Sequence, residues 1–431
     1  MYLLYDLMLL IAAIVLAPYY VVRGWRYGKT RRGLRERLGF YSAERLTPLR
    51  GRQVIWIHAV SVGETRAAIP MVKALREAYP DAALLLSNVT ETGHAVASKI
   101  SELDQCIFFP FDLSWVVRKV LKAIRPQLFV VVETEIWPNF VKCAHQLNIP
   151  IAMINGRFSD RSFPRYRKVQ PLLQGVLEKI DLYCMQTELD GWRARVLGAP
   201  DERVKVTGNV KFDIAAEIPS AQLVADHKQE LQLSESDLVL VAGSTHAGEE
   251  QELIELFLQL RNEIPGLRLI LVPRHPERCQ EVADLLMDKQ LAPVLRSRLA
   301  GDQLLGPDEV LIGDTLGEML LFYSVADVIF VGGSLAPIGG HNILEALQVN
   351  RPVIFGPHMQ NFKQISQLVL DAGGGRCVSD QAELLLALRE LFADAKMRQA
   401  MARSGHGLLE KNSGATRQNL AYLQTLLPKP S

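Results

Sequence analysis

From residue 54 onward the chain repeats one pattern. A short run of aliphatic and β-branched residues is followed by a longer segment whose apolar positions recur at helical spacing. Runs at 54–60, 83–87, 128–132 and 151–154 form one series, with helical-period segments such as 66–79 between them. Runs at 238–242, 267–272, 310–312, 328–331 and 352–355 form a second. An unbroken apolar run suits a strand covered on both faces, and strands separated by helices pair in parallel. Each series therefore predicts a doubly wound, Rossmann-like α/β domain. A chain of 431 residues exceeds one hydrophobic core and has room for two. The polar stretch 214–237, with Pro219, Ser220, Ser234 and Ser236, reads as a linker. That sets a first domain at 46–213, a second at 238–410, and a C-terminal helix and tail at 411–431. Such sheets bind ligands beyond the carboxyl ends of their strands, so the chemistry is expected in a cleft shared by two facing domains.

The start of the chain has a different character. Residues 2–22 are almost wholly apolar, broken by Asp6 and Pro18. About twenty helical residues cross a hydrocarbon layer of roughly 30 Å, so 1–22 reads as an uncleaved membrane anchor. The basic segment 23–45 follows, in which Arg23, Arg26, Lys29, Arg31, Arg32, Arg35 and Arg37 are opposed early on only by Glu36. That asymmetry places the body on the cytoplasmic side of the membrane. The alternative is a segment lying in the interface, its cations on anionic headgroups. Both readings put the protein at a membrane. The overall charge of +1, from 48 basic and 47 acidic residues, argues against a general nucleic-acid binder. Cysteines at 106, 143, 184, 279 and 377 form no CxxC pair or regular framework, so neither a zinc site nor a disulfide scaffold is expected.

In the second domain, four loops follow predicted strands. Gly332-Gly333-Ser334 through Gly339-Gly340-His341-Asn342 is glycine-rich, and a helix opening near Asn342 would aim unpaired amides at an anion, with Glu345 in its first turn placed to accept sugar hydroxyls. Pro273-Arg274-His275 offers phosphate donors on a path fixed by proline. Gly313-Asp314-Thr315-Leu316-Gly317-Glu318 and Gly243-Ser244-Thr245-His246 complete the set. Each alone is also an ordinary β–α turn. Four on one sheet edge point to a nucleotide site.

In the first domain, the loop 58–65 ends a strand and puts Glu64 at a helix start, where the positive helix end favours an ionised carboxylate suited to act as general base on a sugar hydroxyl. Glu133 and Glu135 follow the strand 128–132, and Glu133 is a candidate to orient Lys211, which would neutralise charge on a donor or leaving group. Segment 157–168 interleaves Arg157, Arg161, Arg165 and further cations with aromatics, a pattern suited to an anionic lipid at a membrane face.

These segments, together with Glu133-Thr134-Glu135-Ile136-Trp137-Pro138-Asn139 and Gly208-Asn209-Val210-Lys211-Phe212-Asp213, closely resemble the 3-deoxy-D-manno-octulosonic acid (Kdo) transferases of lipopolysaccharide assembly, in order and along nearly the whole chain. The resemblance implies a GT-B glycosyltransferase that moves Kdo from CMP-Kdo to a lipid A precursor, the tetraacyldisaccharide bisphosphate. It implies Glu64 as catalytic base and Glu133 and Lys211 as transition-state stabilisers. It also implies CMP-Kdo contacts at Pro273, Arg274, Leu316, Gly317, Glu318, Asn342, Ile343, Leu344 and Glu345. Arg157, Arg161 and Arg165 are candidate contacts for acceptor phosphates. No Asp-X-Asp triplet occurs, and metal-independent, inverting transfer with no cofactor is expected. Two other readings stay open: a transferase or epimerase using a UDP-sugar, and a non-catalytic module binding anionic glycolipid through 157–168.

Overall fold

The computed structural model describes residues 5–12, 14–15, 33–213, 218–301 and 303–427. It divides into two compact units, one comprising 1–213 with 413–431 and the other 214–412. Each holds a seven-stranded sheet whose ladders are all parallel.

In the first unit the strands are β1 (Val54–His58), β2 (Ala83–Asn88), β3 (Gln105–Phe108), β4 (Leu128–Val132), β5 (Ile151–Gly156), β6 (Leu182–Met185) and β7 (Val204–Val206), in the order β3-β2-β1-β4-β5-β6-β7. The strand order reverses between β1 and β4, which pair directly with His58 opposite Val131. Loops leaving those two strands diverge to opposite sides and leave a crevice between them. Beneath it lies an aromatic core in which Trp56 meets Phe129 and Phe140 edge to face, each pair with centroids 5.3 Å apart. Truncating Phe129 there would cost about 3–5 kcal/mol.

In the second unit β8 (Leu238–Thr245), β9 (Leu267–Pro273), β10 (Ala292–Leu295), β11 (Glu309–Ile312), β12 (Val328–Val331), β13 (Val353–Phe355) and β14 (Gly375–Cys377) are ordered β10-β11-β9-β8-β12-β13-β14. The reversal falls between β8 and β12, with Val331 opposite Gly243.

The nine strands expected from apolar runs are all present. The five missed strands, β3, β6, β7, β10 and β14, are short or at sheet edges. The stretch 214–237 is not simply a linker: helix Ala221–Glu230 lies within it, and His227 Nδ1 is 2.7 Å from Ser324 Oγ of the second unit. At the other end, helix Ala415–Gln424 joins the first unit, its opening amides on Gly414, Ala415 and Thr416 all donating to the Asp213 carboxylate.

Among the described residues no helix is long and apolar enough to cross a membrane. Much of the expected anchor, and the basic residues from 23 to 32, lie outside them. Asp6, read as an interruption of the apolar run, is buried, and its Oδ1 accepts from Asn139 Nδ2 at 2.8 Å and Ser114 N at 3.0 Å. Asp6 is therefore docked on Ser114 and Asn139 of the first unit.

Candidate functional site

Residues of the β1–β4 crevice come from three loops. After β1, Ser61 caps helix Val62–Ala78 and Glu64 stands in its first turn. The Glu64 side chain folds back over the helix start: Oε2 accepts from Val60 N at 2.6 Å and Oε1 from Ser61 Oγ at 2.9 Å. This is not a capping box, because the Ser61 hydroxyl donates to Glu64 and accepts from no helix amide. Its setting differs from the expectation of a freely ionised carboxylate. Glu64 is only 9 % exposed, and burial raises its pKa, outweighing the Val60 and Ser61 hydrogen bonds; nearby Glu133 adds to the rise and Lys211 opposes it.

Glu133 leaves β4 with φ 62°, a left-handed conformation that a non-glycine residue adopts at a cost. The turn aims its carboxylate at Lys211, 3.7 Å away. Lys211 lies in the 3₁₀ turn Val210–Phe212, fixed by Asn209 Oδ1, which accepts from Lys211 N, and by Asn155 Oδ1, which accepts from Val210 N. Glu64, Glu133 and Lys211 are thus brought together. A residue without an assigned role joins them: Glu135, whose carboxyl is pushed up to about 7 by burial and by the charges of Glu64 and Glu133. The signal for it was the spacing of Glu133 and Glu135 in one loop. His58, at the end of β1, is fully buried, stacked on Phe109 at 3.8 Å, with Nδ1 2.9 Å from Ser87 Oγ.

The segment 157–168 needs correction in one respect. Phe158 and Phe163 point into the core, and Tyr166 packs edge-on against Phe158. Residues Phe163–Lys168 form an amphipathic helical turn, so the aromatics hold it down and are not offered to lipid. Arg161 and Arg165 are exposed, Arg157 is half-buried, and none of the three makes an ion pair among the described residues.

In the second unit the glycine loop follows β12. A Cβ on Gly332 would lie 2.6 Å from Ser244 O, so this backbone approach to the β8 loop requires glycine. The amides of the loop are not left for a ligand. Buried Glu249 takes them: Oε1 accepts from Ser334, Leu335 and Ala336 N at 3.0, 3.0 and 3.2 Å, and Oε2 from Gly333 N at 2.7 Å and His246 N at 3.0 Å. Glu249 was not foreseen, since nothing in its local sequence marks it as the partner of a loop so far along the chain.

The helix after the loop opens at Leu344 rather than near Asn342 and is short, Leu344–Gln348. Asn342 Oδ1 accepts from Leu344 N at 3.2 Å and its Nδ2 donates to Glu345 Oε1 at 3.1 Å. Ile343 and Leu344 are buried as whole residues, 0 % and 1 % exposed. Pro273 ends β9, and exposed Arg274 is steered by its amide, which donates to Thr245 O. Leu316 is 84 % exposed and Gly317 has φ 89°. Burial would raise the Glu318 carboxyl, but Thr315 and Arg296, the latter 2.9 Å away, hold it below its ordinary value.

His246 and His341 face each other beside this loop, their Nε2 atoms 2.8 Å apart. Pro273 and Arg274 leave β9, next to β8, while Asn342 to Glu345 follow β12 on its other side. Leu316 to Glu318 follow β11. Among the described residues, no group of three or more His, Cys, Asp or Glu is disposed to hold a metal ion.

Residues 32–214 match the family model described as 3-deoxy-D-manno-octulosonic-acid transferase (kdotransferase). The chain is 35% identical over 404 residues to the 3-deoxy-D-manno-octulosonic acid transferase of Haemophilus influenzae, covering 93% of this chain and 92% of that one. It is also 35% identical over 429 residues to the Bordetella pertussis enzyme of the same name, covering 96% and 97%. The fold is similar to that of a UDP-GlcNAc 2-epimerase from Neisseria meningitidis, with a TM-score of 0.58, 14% identity, and coverage of 86% of this chain and 100% of that one. The two parallel-sheet domains and the relatedness along nearly the full length lead to one conclusion: the chain belongs to the 3-deoxy-D-manno-octulosonic acid transferases and is a glycosyltransferase.

Proposed function

We propose that the protein transfers Kdo from CMP-Kdo to a lipid A precursor, the tetraacyldisaccharide bisphosphate of lipopolysaccharide assembly, with inversion at the anomeric carbon. The observation that carries this reading is the convergence of Glu64, Glu133 and Lys211 at the β1–β4 crevice. Glu64 is the general base. Its raised pKa brings it nearer to working pH, where a base both exists as carboxylate and takes a proton readily. It removes the proton of an acceptor hydroxyl as that oxygen attacks the anomeric carbon and CMP departs. Lys211, held by Glu133, compensates negative charge that develops during departure. The donor is held by the loops of the second domain, with Arg274 on its phosphate and the 316–318 and 342–345 segments on the nucleoside. A single phosphate group is within the capacity of side-chain cations, so the reaction is proposed to need neither metal nor cofactor.

The acceptor bears phosphates, and exposed Arg161 and Arg165 with Arg157 are the candidates to receive them. Work at the inner membrane, from its cytoplasmic side, is supported by the apolar side chains left exposed on the described N-terminal residues, Leu7, Met8, Ile11, Ile14 and Val15, and by exposed Phe111 and Trp115 of the same unit.

The test is transfer from CMP-Kdo to tetraacyldisaccharide bisphosphate in detergent with EDTA, read by product mass. The native protein is expected to add Kdo despite the chelator, and Glu64→Gln to be slower by about 10²- to 10⁴-fold. No product from folded native protein overturns the donor and acceptor assignment; product made equally well by Glu64→Gln overturns the base.

A further inference from the structure

The saturation of the glycine loop by Glu249 poses a question for any anion bound at the second domain. Loops of this kind ordinarily offer backbone amides to phosphate. Here the amides of Gly333, Ser334, Leu335 and Ala336 already serve a buried carboxylate. Those four amides are therefore not at the disposal of a nucleotide phosphate, and the side-chain donors at hand are Arg274, His275 and the pair His246–His341.

That pair has a specific geometry. His246 follows β8 and His341 lies in the loop after β12, and the pairing of those two strands at the sheet's switch point brings the rings together. The rings are parallel within 3°, with centroids 5.1 Å apart. Both rest on Gly333, where a Cβ would approach His341 Cδ2 to 2.9 Å and His246 Cδ2 to 3.3 Å. A 2.8 Å contact between two Nε2 atoms holds one proton: one ring donates and the other must be bare. Two protons there would set N–H against N–H.

We propose that His246 and His341 form a proton-accepting switch in the donor site, resting neutral with one shared proton and taking up a second from solvent when an anionic nucleotide binds, which parts the rings and frees two N–H donors for its phosphate. This rests on the CMP-Kdo reading above. The surrounding charges suit it. Burial lowers the pKa of both rings, that of His341 to about 4 with help from His246, Arg274 and His275, so the empty site keeps the pair neutral. Facing the pair are Arg274 and His275, the latter edge-on to His246 at 5.9 Å, and Arg278, which is paired with Glu250 at 2.8 Å and Glu281 at 2.9 Å. Among the described residues Glu249 is the anion that acts on His246, its oxygens occupied by backbone amides, while Glu277 lies 3.8 Å from His275. An incoming phosphate adds the negative charge that this mostly cationic surrounding lacks, and the pair's proton affinity rises with it.

The experiment is calorimetric titration of the full chain with CMP at about pH 7.5, above the second phosphate pKa of about 6, in two buffers of different ionisation enthalpy. The difference in observed heat reads the protons taken up. Native protein is expected to take up close to one proton per CMP. The double variant His246→Gln/His341→Gln is expected to lose that uptake, while His145→Gln, at an exposed position of the first unit, keeps it. Histidine ring NMR of native protein with and without CMP reads the same change without substitution, as one additional imidazolium in the bound state. CMP binding by native protein with no proton uptake, or uptake that persists in the double variant or vanishes in His145→Gln, overturns the switch alone. Failure of native, folded protein to bind CMP overturns the donor reading and the switch with it.

Discussion

His58 closes β1 inside the aromatic core and Glu64 opens the helix that follows, and burial acts on the two in opposite directions. The imidazole is pushed down to about 3, so in the folded chain it stays neutral through the mildly acidic range. An unfolded histidine titrates near 6.5. Between those two values the unfolded state binds more protons than the native one, so stability is fully present above about 6.5 and declines as pH falls toward 3, by about 1.4 kcal/mol per pH unit at most. Chemical unfolding at pH 7 and pH 5 should show a loss of about 2 kcal/mol from this residue, absent in His58→Gln; equal pH dependence in both proteins would contradict it. For Glu64 the sign is reversed. Its folded pKa is raised, so the native state holds its proton more tightly, and the associated stability is present below the unfolded value and lost as pH rises through the folded one. A charged Glu64 at neutral pH is therefore a burden on the fold. Glu64→Gln should raise the melting temperature at pH 7.5 while suppressing transfer, and a lowered melting temperature would show that the Val60 and Ser61 hydrogen bonds outweigh burial.

At the scale of elements, the glycine loop after β12 is held by a carboxylate from the helix after β8. Removing it in Glu249→Ala strands buried amides, at about 1–3 kcal/mol for each that water does not reach. Glu249→Gln should rescue little, because its amide group turns a donor toward donors, whereas Glu249→Asp keeps the charge and should recover part of the loss. Urea unfolding with CMP titration checks this: Glu249→Ala that is as stable as native and binds CMP as tightly would remove Glu249 from the account. The contact also marks where sequence reading ran out. The strands β1, β4, β8 and β12 were legible because buried parallel strands are unbroken apolar runs, and the loops after them were legible because the switch point must lie there. Lys211 beside Glu133 was reachable as a pairing of charges. Glu249 was not, since a glutamate in the first turn of a helix is unremarkable until the loop from 333 to 336 is folded onto it. Edge strands β10 and β14 were missed for a related reason: both are exposed or half-buried, Gly375–Cys377 carries no apolar run, and Ala292–Leu295 is short and interrupted by Pro293. The aromatics of 157–168 misled in the other direction, because composition alone does not tell a residue that anchors a turn from one that meets lipid.

For the molecule as a whole, the chain passes between its two units twice, out after Asp213 and back before Ser413. One side chain sits at both passages. The Asp213 carboxylate accepts from Ala415 N at 3.1 Å and from Gly414 and Thr416 N, and so supplies the cap that helix Ala415–Gln424 lacks from its own sequence, where Gly414 stands at the N-cap in a left-handed conformation. The helix then buries Ala415, Thr416, Asn419 and Leu423, with Leu423 and Ala415 in the apolar cluster that contains Met71 and Leu75. A residue two hundred positions upstream thus completes a helix start, with Asp213 and Gly414 separated by 201 in sequence. Removing a capping acceptor costs about 0.5–2 kcal/mol, and a negative charge at a helix N-terminus adds a favourable term with the helix dipole. Asp213→Ala is therefore expected to lower hydrogen-exchange protection across 415–424 by about tenfold or more, following from a loss of about 1.4 kcal/mol or greater in local opening, while β1 and β4 keep theirs. Asp213→Asn retains one acceptor and should fall between. Because β1 and β4 carry the loops of Glu64 and Glu133, their protection separates local release of the C-terminal helix from unfolding of the first unit. Unchanged protection over 415–424 in Asp213→Ala would mean that packing of Leu423 and its neighbours holds the helix without its remote cap.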